Sequence, residues 1–133
     1  MNWGATGAIL MALGVMLGAF GAHALKDRLD AYSLDVYQKA VFYHFIHAVM
    51  LFILAERPQL PRLAWWSFLG GIVIFSGSLY LLAVTDTPWL GAITPIGGLL
   101  FLMGWGSLFF RSVRDGRGDR RGDDDGRGPA GRL

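Results

Sequence analysis

The run YHFIHA at residues 43–48 sets two imidazoles and a phenol between AVF and VMLFILA, which are apolar. Histidine is the side chain that titrates near neutral pH, relays protons and ligates metals. His44 and His47, three residues apart, fall on one face of a helix, and Tyr43 lies four before His47. A third imidazole, His23, ends the apolar run GAFGAHAL. His23, His44 and His47 have the donor type for zinc or copper. The sequence has no cysteine, and no carboxylate falls inside an apolar run to complete such a shell.

Other chemistries find less support. Without cysteine there are no disulfides, thiolate nucleophiles or dithiol redox pairs. No activated serine, paired carboxylate or phosphate-cradling loop is recognisable, and GAFGA lacks the strand that a nucleotide loop requires. Asp27, Asp35 and Asp86 sit at the ends of apolar runs and read as caps or turn formers. The pattern calls for no cofactor and assigns no catalytic residue. A formal charge of +2, with no basic stretch interleaved with aromatic rings, argues against nucleic acid as a partner.

The elements that must position these groups are apolar throughout. Hydrophobic residues make up 53% of 133, above the usual globular range, and they gather in long runs. A bilayer core needs roughly 20 apolar residues in helix. Residues 3–25, 37–55, 63–84 and 89–110 meet that length. Three of the four lack the polar stripe of a soluble amphipathic helix. Only helices and closed barrels satisfy their backbone in lipid, and these runs are twice the length of barrel strands. The expected fold is all-α, a four-helix transmembrane bundle in which the lipid bilayer is the first partner.

The connectors are punctuated accordingly. ERPQLPR at 56–62 combines two prolines with charge and turns the chain. Thr87 is expected to cap the fourth helix, with Pro88 at its first position. The connector LKDRLDAYSLDVYQKA places Leu25, Leu29, Tyr32 and Val36 at helical intervals. It reads either as an interfacial amphipathic turn or as an extension of the second helix capped by Ser33. Residues 1–110 form the membrane domain. Residues 111–133, rich in Arg, Gly and Asp, have no apolar periodicity and are expected to be a disordered tail. Its two Arg-Gly-Asp triplets follow from composition.

Four spans place the amino terminus, the second connector and the tail on one side. That side carries Arg57, Arg62 and seven tail arginines; the other carries Lys26, Arg28 and Lys39. The positive-inside rule therefore expects a multi-pass protein of the plasma (inner) membrane with both termini cytoplasmic. Ala22-His23-Ala24 has the form of a signal-peptidase site, but no positive segment precedes it and the run is long for a signal.

At about 1.5 Å per residue, the polar side chains gather near the first connector. His44 lies about 6 Å and His47 about 10 Å from Ala40, Tyr80, Ser78 and Ser76 lie about 6 to 12 Å inside the third span, and Thr94 and Pro95 lie about 6 to 9 Å inside the fourth. Unsatisfied polar groups are costly in hydrocarbon, so His23, Tyr43, His44, His47, Ser76, Ser78, Tyr80, Thr94 and Pro95 are expected to meet in one extracytoplasmic cluster. Pro95 deletes the bond to the Gly91 carbonyl and is expected to kink its helix. Gly14 and Gly18 on the first helix, with Gly97 and Gly98 on the fourth, allow close helix packing within the chain or at a dimer face.

Four of these stretches, GAFGAHALK (18–26), YHFIHA (43–48), FSGSLYLLAVT (75–85) and GAITPIGG (91–98), occur in an order and spacing that resembles the small bacterial membrane proteins of the YgdD and YwdK type, the family called domain of unknown function 423. The resemblance covers about residues 3–110. It implies an integral membrane protein of about four helices and no particular activity; the tail has no counterpart in it.

The histidines thus have three readings. In the first, they are neutral and bonded to Ser76, Ser78, Thr94 or backbone carbonyls, so that the chain is a structural or interaction protein, with a homo-oligomer or another membrane protein as a possible partner. The others are a small transporter or proton relay, and a metal-handling protein.

Overall fold

The computed structural model describes the backbone of residues 2–124 and the side chains of residues 2–116. The described chain is helical and forms four spans, Trp3–Leu25, Ala31–Ala55, Arg62–Thr85 and Leu90–Gly116, each long and apolar enough to cross a membrane. The first comprises α1 (Trp3–Phe20) and a π-helical turn, Gly21–Leu25. The second is α2 (Ala31–Ala55). The third is α3 (Arg62–Gly71), a π-helical turn at Ile72–Ser76, and α4 (Gly77–Thr85). The fourth lies in α5 (Leu90–Asp124).

Two helix starts, those of α1 and α2, carry side-chain caps. Asn2 caps α1 by accepting from the Ala5 amide at 3.1 Å. From Ala31 onward the first connector is an extension of the second helix, but Asp30 caps it, accepting from the Ser33 amide at 2.7 Å. An acceptor caps the residue two or three positions ahead, so a cap at Asp30 makes Ser33 the donor and not the cap. α4 ends at Asp86, whose φ of 49° and ψ of 47° give a left-handed stop. Thr87 does not cap α5: its hydroxyl turns back to Thr85, and α5 opens with the Leu90, Gly91 and Ala92 amides donating to the carbonyls of Thr87, Pro88 and Trp89 three residues back. α5 passes through Pro95 without a break and continues beyond Phe110 to Asp124, with an Arg111–Asp115 pair at 3.8 Å along its side. Residues 125–133 of the expected tail lie outside the described residues.

α2 and the third span form the middle of the bundle, with α1 against α2 and α5 against α3 and α4. The outer spans bury 17% of their apolar windows and the middle ones 33%, so α1 and α5 are the flanks. Two apolar clusters hold the ends. Leu25, Val36, Tyr37 and Ala83 pack near the first connector, and Ala48, Leu51, Leu54, Trp65, Phe68 and Phe101 pack toward the second. The polar contacts lie between and beside them.

Candidate functional site

His44 joins three helices. Its Nε2 lies 2.8 Å from the Leu10 carbonyl of α1, and its Nδ1 lies 3.2 Å from the Tyr80 hydroxyl of α4. A carbonyl only accepts, so Nε2 carries the hydrogen and Nδ1 accepts from Tyr80. The Tyr80 ring meets Tyr37 edge-on at 5.1 Å, and the Tyr37 hydroxyl donates to the Leu17 carbonyl at 2.8 Å. Small residues make this reach possible. A β-carbon at Gly14 would stand 3.2 Å from Phe45 and 3.7 Å from the His44 ring, and one at Gly18 would stand 3.3 Å from Val41. α1 therefore lies close enough for its own carbonyls to receive side chains of α2.

His47 belongs to a different joint. Its Nδ1 donates to the Tyr43 carbonyl one turn back at 2.7 Å, and its Nε2 accepts from the Trp105 indole of α5 at 3.1 Å. The imidazole stacks on Phe101 with centroids 3.6 Å apart and planes within 8°, and Phe68 closes another side at 5.3 Å. A third joint ties α4 to α5: the Ser78 and Thr94 hydroxyls lie 2.7 Å apart, Ser78 also meets the Phe75 carbonyl at 3.0 Å, and Thr94 meets that of Leu90 at 3.3 Å. Here Gly97 lies against the Phe75 backbone so closely that no β-carbon fits, while at Gly98 one would be in ordinary contact at 3.7 Å.

The nine residues expected to meet in one cluster are thus divided. Positions three apart on a helix differ by about 60° around its axis, enough to send His44 toward α1 and α4 and His47 toward α5. Tyr43 is 38% exposed and rests its ring on Phe75 at 4.6 Å, bordering a lateral recess of about 470 Å³ with Pro95 and Trp105. His23 is exposed on its π turn and joins none of the three. Ser76 is buried, but its hydroxyl has no partner among the described residues, and the same holds for Ser67. Because α2 starts at Ala31, the histidines lie about 20 and 24 Å from its first-connector end, farther than a count from Ala40 gives.

Tyr37 and Trp105 complete two joints and were not anticipated. Their signal is chemical: a buried phenol or indole needs a hydrogen-bond partner. No group of three or more His, Cys, Asp or Glu able to hold a metal occurs among the described residues.

Four apolar spans tied by uncharged hydrogen bonds define a small multi-pass membrane protein. The family model described as "Protein of unknown function (DUF423)" matches residues 17–98, and the chain belongs to that family. The matched region contains all three histidines, Tyr37, Tyr80, Ser78 and Thr94; Trp105 lies beyond it. The chain is 43% identical over 114 residues to the UPF0382 membrane protein YwdK of Bacillus subtilis, covering 81% of this chain and 93% of the relative. It is 45% identical over 112 residues to a UPF0382 membrane protein of Staphylococcus haemolyticus, covering 81% and 92%. A relative in Haemophilus influenzae is 40% identical over 104 residues, covering 75% and 84%. No solved structure matches.

Proposed function

We propose that the chain is a structural or interaction protein of the plasma membrane, in which His44 and His47 act as uncharged joints between helices. The observation that supports this most directly is that all four ring nitrogens of these residues have partners. A metal ligand must present a bare nitrogen. The two bare nitrogens here, Nδ1 of His44 and Nε2 of His47, accept from Tyr80 and Trp105. A proton relay must carry charge in transit, and neither imidazole has a carboxylate partner among the described residues.

In this reading both termini face the cytoplasm, and the Tyr37–Tyr80 and Ser78–Thr94 contacts lie in the extracytoplasmic half. Arg57, Arg62, Arg111 and Arg114 near the second connector support that orientation. Lys26, Arg28 and Lys39 at the other end are fewer.

The test is metal analysis and thermal unfolding of the detergent-purified chain beside its His44→Ala and His47→Ala variants. The joint reading expects earlier unfolding in both variants and no stoichiometric metal in any. Metal at one equivalent that both variants lose would replace it with the metal-handling reading. A ligand whose pH-dependent affinity vanishes in both would replace it with the transport reading.

A further inference from the structure

Arg62 opens α3, and Arg111 and Arg114 stand one turn apart on α5; together they border a recess of about 520 Å³. Leu63 and Phe110 line the same recess and are exposed. The order of these residues along their helices sets their level. Arg62 immediately precedes the apolar run of the third span, and Arg111 immediately follows that of the fourth. The guanidinium groups therefore sit at headgroup depth, with Leu63 and Phe110 just inside the hydrocarbon.

Among the described residues these cations are poorly matched. The Arg111 side chain, 33% exposed, reaches Asp115 at 3.8 Å and Gln59 at 3.4 and 3.5 Å, all long for a guanidinium. Arg62 and Arg114 have no carboxylate partner among the described residues. Pro61, which precedes α3, supplies no side-chain cap, so the first amides of α3 add a little positive potential to the same wall.

We propose that this recess binds the phosphate headgroup of an anionic phospholipid. Arg62, Arg111 and Arg114 provide planar donors that match phosphate oxygens, and the acyl chains run along Leu63 and Phe110. Charge complementarity selects the headgroup, and the apolar residues below it select a lipid over free phosphate.

The test uses the full chain in detergent and native mass spectrometry with equal amounts of phosphatidylglycerol and phosphatidylcholine. Wild type should retain phosphatidylglycerol about tenfold better. The double variant Arg62→Gln/Arg114→Gln should lose most of that preference at unchanged helicity, whereas Arg28→Gln, at the other end of the bundle, should keep it. Phosphatidylglycerol should also raise the unfolding temperature where inorganic phosphate at the same concentration does not. Equal retention of the two lipids by wild type overturns the proposal even if the double variant fails to fold. So does a preference that survives the double replacement, or inorganic phosphate that stabilises as well as the lipid.

Discussion

His44 and His47 stand one turn apart on α2 and hold opposite tautomers. His44 carries its hydrogen on Nε2, directed at the Leu10 carbonyl, and His47 carries its own on Nδ1, directed at the Tyr43 carbonyl. Each ring thereby keeps one acceptor nitrogen, and each acceptor meets a donor from a different helix, Tyr80 in one case and Trp105 in the other. Neighbouring residues of one type thus do separate mechanical jobs.

If the joints are separate, their losses should add. Tyr80→Phe and Trp105→Phe each remove one donor, and hydrogen bonds within membranes average about 0.6 kcal/mol, with about 1.7 kcal/mol the largest in a measured series. The double variant should equal the sum of the singles within about 0.5 kcal/mol in reversible unfolding. A His44→Phe/Tyr80→Phe cycle should instead show coupling of about 0.6 kcal/mol or more. Strong coupling between Tyr80 and Trp105 would restore the single shared cluster.

Ser76 and Ser78, two residues apart, should behave oppositely. The Ser76 hydroxyl is buried without a partner, so Ser76→Ala removes an unsatisfied group and should leave stability unchanged or raised. Ser78→Ala breaks the 2.7 Å contact with Thr94 and should cost about 0.6 to 1.7 kcal/mol. Thermal unfolding of the two variants in one detergent decides the sign.

The pair also marks how far the sequence was legible. Length and hydropathy located all four spans to within a few residues, apart from the start of α2 and the end of the fourth span, because the bilayer imposes a minimum apolar run that a sequence displays directly. Gly14 and Gly97 were readable as close-contact positions because only a missing side chain permits such an approach. The division of the polar residues was not readable. It depends on helix rotation and on the π turn at Ile72–Ser76, which changes the facing of everything around it and has no period of its own in sequence. Trp105 stayed hidden for a related reason, since an indole in an apolar run looks the same whether it faces lipid or a buried imidazole.

Gly97 and Gly106, on the same helix, separate packing from propensity. Nothing lies within 4 Å of a β-carbon built at Gly106, so Gly106→Ala should be neutral or stabilise by up to about 1 kcal/mol. At Gly97 the obstacle is the Phe75 backbone, which cannot swing aside as a side-chain tip can. Gly97→Ala should cost about 1 to 3 kcal/mol or more and loosen the Ser78–Thr94 joint beside it. Equal unfolding temperatures for the two variants would mean that α5 does not approach the π turn at Ile72–Ser76 as closely as described.

The cap of α2 should make one part of the stability depend on pH. Asp30 lies outside the spanning segments, and hydrogen bonding from the Ser33 amide holds its carboxyl below the ordinary value of 3.8. A group whose pKa is lowered by folding stabilises the fold above its unfolded pKa, and that contribution disappears as pH falls through the lower folded value. Asparagine caps comparably without titrating in this range. Wild type should therefore gain on Asp30→Asn as pH rises from about 3 to about 5, and the difference should be flat from about 5 to neutral. Protection of the Ser33 amide in hydrogen exchange, compared between the two proteins from pH 3 to 6, reads this directly once the intrinsic exchange rate is divided out. Identical profiles would show that the carboxylate charge contributes nothing to the start of the helix that carries both histidines.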